Sequence, residues 1–173
     1  MAGEHQVQNA VTALCALDVM RSEGIIRSDG EALRKGMKAA RLDGRFHVAK
    51  ENPYIIYDGA HNPDGANALV KTLKELLPDG KILFVTSILR DKAASEMLGI
   101  FSGVADSFVA TASANERALS AGELASMIRE AGGTVAAQAE SPGEAYEAAM
   151  ALSGEFDAVV FAGSLYMIGE VMR

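Results

Sequence analysis

From Tyr54 onward, short uninterrupted apolar runs alternate with segments in which apolar residues recur every three or four positions. The runs at 54–57, 82–86, 108–111, 135–137 and 158–161 are partly β-branched, and they predict buried parallel strands. Between them, Ala66, Leu69, Val70 and Leu73 form one helical stripe, and Ala94, Met97, Leu98 and Phe101 a second. Leu124, Met127, Ile128 and Ala131 form a third, and Ala145, Ala148, Ala149 and Leu152 a fourth. The repeat is about 25 residues, the spacing expected when each crossover between parallel strands is a helix. The pattern predicts an α/β fold: a mostly parallel, doubly wound, Rossmann-like sheet of about six strands with helices on both faces.

Helix starts carry their own chemistry. Asn62 before Pro63 supplies a side-chain acceptor and then a residue without an N–H. Ser120 with Glu123, and Ser141 with Glu144, fit capping boxes, and Leu119 with Leu124 fits a hydrophobic staple. The first 50 residues have a different texture. Val7, Ala10, Val11, Leu14 and Leu17 form one helical stripe and Leu33, Met37 and Ala40 a shorter one, with no strand between them. This predicts a helical segment over 1–42 ahead of an α/β domain over 43–173. The stretch 41–53 has mixed polarity and ends at Pro53, as a connector does; alternatively 44–49 is an edge strand, because Phe46 and Val48 alternate with polar neighbours.

Composition narrows the function. The 173 residues are 49% hydrophobic and 23% charged, enough to bury a core, and the net charge of −7 disfavours nucleic acid and anionic membrane as partners. A single cysteine, the lack of a run of about 20 apolar residues and the lack of a leader pattern point to the cytoplasm. Cys15 lies on the stripe side of the first helix and is expected in the core, as are most of the eight methionines. His5, His47, His61 and Cys15 lack zinc-ligand spacing, so no metal site is expected from them. No phosphate loop of the G-x-x-x-x-G-K-[ST] kind and no G-x-G-x-x-G turn occurs, so neither a self-sufficient nucleotide hydrolase nor a standard NAD site is expected.

Ligands of open α/β sheets gather at the carboxyl ends of the strands. After the first run comes Asp58-Gly59-Ala60-His61-Asn62-Pro63, the most polar such loop. A carboxylate ending a buried strand needs a partner or a ligand, and histidine, carboxylate and helix-end amides together suit a polar or anionic substrate. The plain alternative is that Asp58 and Asn62 are turn and cap residues and His61 a solvated loop residue. After the last run, Ser164 can cap the final helix and bind a carboxylate, or simply cap. His5 and Asn9 stand one turn apart, away from the apolar stripe, and Arg45 follows Gly44, where it can reach a phosphate or serve as surface charge.

Together, Gly3-Glu4-His5-Gln6 with Asn9, Gly44-Arg45-Phe46, Asp58 through Pro63, Asp91-Lys92, Arg117-Ala118-Leu119 and Gly163-Ser164-Leu165-Tyr166 resemble, in order and spacing, the bacterial folylpolyglutamate and dihydrofolate synthase family of the Mur ligase superfamily. The likeness covers the family's carboxyl-terminal domain, preceded over 1–42 by the last helices of its central ATPase domain. One departure is Asn115-Glu116 before Arg117, where the family often has proline. The resemblance implies a ligase that uses ATP and Mg2+ to join L-glutamate to folate or dihydropteroate through an acyl phosphate. The missing amino-terminal ATPase domain would bring the phosphate loop and most magnesium ligands. Carried over by motif, Asn9, Arg45 and Asp58 imply ATP contacts, the last through ribose; Asp58 and His61 imply the catalytic pair, with His61 positioning; His61 and Ser164 imply the glutamate site. Two other functions fit the composition: a free-standing, non-catalytic module binding a nucleotide or amino acid, and a peptidoglycan Mur ligase domain.

Overall fold

The computed structural model of the chain describes residues 4–40 and 44–172, the side chains of Glu4 and His5 excepted. It divides into two compact units, 1–42 and 43–173. Gly3 and the His5 side chain, part of the first motif, lie outside the described residues. The first unit holds α1 (Glu4–Ser22) and α2 (Gly30–Ala39). Asp29 caps α2, its carboxylate accepting the Ala32 N–H at 2.7 Å. Val7, Val11 and Leu14 of the α1 stripe are exposed, Val7 by 62%. Cys15, expected in the core, is therefore exposed as well, because the stripe it flanks is itself uncovered. The methionines divide likewise: Met97 and Met167 are fully buried, whereas Met20 and Met172 stand at helix ends and are exposed.

The second unit is a six-stranded sheet in the order β1-β2-β6-β3-β4-β5, with β1 (His47–Glu51) antiparallel to β2 (Tyr54–Tyr57) and every other pairing parallel. The remaining strands are β3 (Ile82–Thr86), β4 (Ser107–Thr111), β5 (Val135–Ala139) and β6 (Ala158–Ala162). Three successive crossovers, α3 (Pro63–Leu76), α4 (Ala94–Ser102) and α5 (Ala121–Glu130), cover one face. The chain then returns through α6 (Pro142–Leu152) to place β6 in the gap left between β2 and β3, and α6 and α7 (Leu165–Val171) cover the other face.

Side-chain alternation sorts the core between these faces. Ile56, Val160, Phe84 and Phe108 pack under α3, α4 and α5, with the Phe84 ring 4.9 Å from Phe101 and 5.8 Å from Phe108. Ile55, Val159, Leu83, Val85 and Phe161 pack under α6 and α7. Tyr57 stacks on Phe161 at 5.0 Å, and burial, aided by the neighbouring Tyr146, raises its phenol above the usual 10.0. The strand at 135–137 is expected buried, but β5 is an edge strand that exposes alternate residues, since no strand lies beyond it. The stretch 41–53, whose connector and strand readings were both open, contains edge strand β1 from His47.

The capping chemistry is formed. Asn62 accepts the Gly65 N–H at 2.8 Å with Pro63 in the first turn, and Ser120 and Glu123 make a reciprocal capping box. Ser141 accepts the Glu144 N–H, but the Glu144 carboxylate turns to the Glu140 N–H, so that box is half-made. Arg90 grips Glu123 through two 2.8 Å bonds. These, followed by the Ser120 N–H and hydroxyl, hold the Glu123 carboxyl down to about 2 from 4.5. A folded value below the unfolded one gives stabilisation that is present above pH 4.5 and fades as pH falls toward 2. Both side chains are exposed, so the gain is small and salt-sensitive. Arg90→Ala is expected to lower the melting temperature at about pH 6 in low salt, with the gap to wild type narrowing by about pH 3. A gap independent of pH would show that Arg90 acts through packing instead.

Candidate functional site

The topology makes one place unlike the rest. β6 sits between β2 and β3, yet its outgoing helix α7 lies on the face opposite α3 and α4, so the connections leaving β2 and β6 turn to opposite faces of the sheet. In open α/β sheets such a reversal opens a crevice at the strand tips. The Asp58–Pro63 loop and the Gly163-Ser164 turn emerge side by side there. The Asp58 N–H donates to the Phe161 carbonyl at 2.9 Å, and the Gly163 N–H to the Ala60 carbonyl at 2.9 Å.

Each predicted site residue of the second unit has a defined setting. Asp58 is 7% exposed, and each of its oxygens accepts a backbone N–H at 2.8 Å: Oδ2 from Phe46 and Oδ1 from Ala60. His61 is half-buried, its Nδ1 2.8 Å from the Gly59 carbonyl. A carbonyl only accepts, so this bond places a proton on Nδ1 and leaves Nε2 as the end of the ring not engaged by it. Ser164 is 2% exposed, and its hydroxyl oxygen accepts the Tyr166 N–H at 3.2 Å, leaving the hydroxyl proton to donate elsewhere. Arg45 is half-buried in the turn entering β1, and the Gly59 N–H donates to the Gly44 carbonyl at 2.6 Å. Asn9 lies on α1, in the first unit, and is exposed.

A second tier of loops is tied together at the same end of the sheet. Ser87, directly after β3, accepts the Ser113 N–H at 3.0 Å, and Glu170 of α7 accepts the Ala114 N–H at 2.9 Å. The loops after β3 and β4 also pair through the Arg90 N–H to the Arg117 carbonyl at 2.7 Å and the Leu119 N–H to the Ile88 carbonyl at 3.0 Å. Arg117 reaches Asp91 at 3.2 Å, so the Asp91-Lys92 and Arg117 motifs meet on this rim. Ser87 and Glu170 escaped the sequence reading; Ser87 carried a signal, a hydroxyl at the tip of an apolar run, and Glu170 none. Among the described residues no group of three or more histidine, cysteine, aspartate or glutamate side chains converges to hold a metal ion. No described helix is long and apolar enough to cross a membrane.

A sheet with this reversal, carrying an acidic and histidine loop beside a glycine-serine turn, defines an open, doubly wound α/β domain. Residues 44–165 match the family described as Mur ligase, glutamate ligase domain, and the chain belongs to that family. It is 33% identical over 165 residues to the dihydrofolate synthase/folylpolyglutamate synthase of Escherichia coli, covering 95% of this chain and 37% of that protein. To the Bacillus subtilis protein so described it is 30% identical, covering 100% and 40%. A crystal structure of Mycobacterium tuberculosis folylpolyglutamate synthase complexed with ADP and AMPPCP superposes with a TM-score of 0.87 at 32% identity, over 98% of this chain and 39% of that one. E. coli FolC in complex with DHPP and ADP gives 0.81 at 31%, over 95% and 37%. The chain thus spans about two fifths of these relatives, and the part it matches is their carboxyl-terminal domain.

Proposed function

We propose that this chain is the carboxyl-terminal domain of a cytoplasmic, ATP-dependent ligase that joins L-glutamate to the carboxylate of a folate or dihydropteroate acceptor. The observation that carries the proposal is the union of the Asp58–Pro63 loop with the Gly163-Ser164 turn at the carboxyl ends of β2 and β6, joined by the Gly163 to Ala60 hydrogen bond. In this reading 1–42 is the end of an ATPase domain whose earlier part brings the phosphate loop and the magnesium ligands. Phosphorylating a carboxylate brings anions together, so Arg45 supplies a fixed cation to the nucleotide. The chain's second task is to hold the incoming amino acid. The Ser164 hydroxyl donates to a glutamate carboxylate, and His61, its ring oriented by the Gly59 carbonyl, presents Nε2 to the same ligand. Asp58 sets the loop on which His61 stands, through the Ala60 N–H.

The test is to assay the chain alone and the chain joined to its ATPase domain for ATP-dependent addition of glutamate to a pteroate acceptor, read as a mass increase of one glutamyl residue with ADP release. The joined protein is expected to turn over and the chain alone to bind ATP only at about millimolar concentration, because the phosphate loop is elsewhere. Micromolar binding by the chain alone would instead favour a free-standing nucleotide module. Turnover with a cell-wall peptide precursor, and none with pteroates, would move the substrate to the peptidoglycan branch.

A further inference from the structure

The turn that carries Arg45 is held in an unusual shape. Gly44 has φ +70°, and Phe46, two residues on, has φ +42°, a left-handed conformation that is strained for a residue with a side chain. Such a conformation persists only where the surroundings impose it, and here three ties do so. The Phe46 ring is 7% exposed and belongs to the core formed with Ile56 and Ala60. The Phe46 N–H, the amide directly after Arg45, donates to Asp58 Oδ2 at 2.8 Å. The Gly44 carbonyl, directly before Arg45, accepts the Gly59 N–H at 2.6 Å. The two residues that grip the peptide on either side of Arg45 are thus consecutive, Asp58 and Gly59, and the other Asp58 oxygen ties the same loop to itself through the Ala60 N–H.

We infer that Asp58 is a positioning residue for Arg45: its buried carboxylate fixes the strained Gly44-Arg45-Phe46 turn and so aims the guanidinium at the nucleotide. The inference rests on the assignment of Arg45 as a nucleotide contact, and it assigns Asp58 a different route of action from a direct contact with ribose. Preorganisation explains why a left-handed phenylalanine is tolerated here. A long arginine on a loose turn loses affinity in ordering itself, whereas a turn already locked at both peptides delivers the charge without that loss.

A double-mutant cycle in the full-length ligase separates the two routes. Arg45→Ala is expected to raise the KM for ATP about tenfold or more with the KM for glutamate unchanged, and Asp58→Asn to raise the KM for ATP by a similar factor, because the amide presents a donor to one of two N–H groups. If Asp58 acts through Arg45, the double variant is no worse than Arg45→Ala alone, within about twofold. Multiplied defects would show that Asp58 meets the nucleotide itself and would overturn the inference while leaving Arg45 in place. An unchanged ATP KM in Arg45→Ala would instead remove the underlying assignment. Gly44→Ala leaves Asp58 intact but strains the same turn, its new Cβ lying 3.2 Å from Ile168 Cγ2. It is expected to reproduce the ATP defect, and it carries the test should Asp58→Asn fail to fold; a normal ATP KM in a folded Gly44→Ala enzyme would also refute the inference.

Discussion

Gly163→Ala is expected to cost about 2–5 kcal/mol, a large share of the roughly 5–15 kcal/mol that keeps a domain folded. Gly163 has φ +111°, a region that side-chain-bearing residues rarely enter. A Cβ there would stand 2.6 Å from the Ser87 carbonyl oxygen and 2.6 Å from Thr86 Oγ1. The hydroxyl can swing away, but the Ser87 carbonyl belongs to the backbone leaving β3, in the middle of the sheet, and cannot yield without disturbing β3 or β6. The backbone at 163 cannot retreat freely either, because its N–H is bonded to the Ala60 carbonyl. Chemical denaturation of the isolated chain measures this as a fall in the midpoint at constant slope. An unchanged midpoint would mean that the turn has room the structure does not show. A folded but weakened variant should lose glutamate affinity as well, since the same turn carries Ser164.

The second large effect belongs to Ser164 itself. Ser164→Ala in the full-length ligase is expected to raise the KM for glutamate by about 10–100-fold, the range for losing one hydrogen bond to a charged group, with the KM for ATP unchanged. The hydroxyl is nearly buried, its oxygen already accepts the Tyr166 N–H, and its proton is the part left for a ligand. Losing the cap adds about 1 kcal/mol of destabilisation, which melting of the variant separates from the kinetic effect. A defect selective for ATP would transfer Ser164 to the nucleotide side and reverse the division of labour proposed for the two loops.

Much of this architecture was legible residue by residue. The apolar runs at 54–57 and 82–86 coincide with β2 and β3, and those at 108–111 and 158–161 lie within β4 and β6, because a strand buried on both faces needs every position apolar. Asn62, Ser120 and Ser164 cap helices as their side chains predict, since capping is a contact within three residues and needs no tertiary partner. The loop and turn that make the candidate site were visible as polar breaks after apolar runs. Cys15 and the edge position of β5 were not legible: periodicity states which face of a segment is apolar, and only the packed fold states whether anything covers it.

Local chemistry alone was enough for the strands, the helices, their caps and the family to which the motifs belong, since each depends on near neighbours or on a signature read in order. The fold decided which strand lies beside which. Placing β6, last in the chain, between β2 and β3 requires contacts across a hundred residues, and it is this placement that brings Ser164 to the Asp58–Pro63 loop. The fold also decided which way Asp58 points. A carboxylate after a buried strand can equally meet a ligand or a backbone amide, and the left-handed turn at Phe46, twelve residues away, is what gives it a backbone N–H to accept.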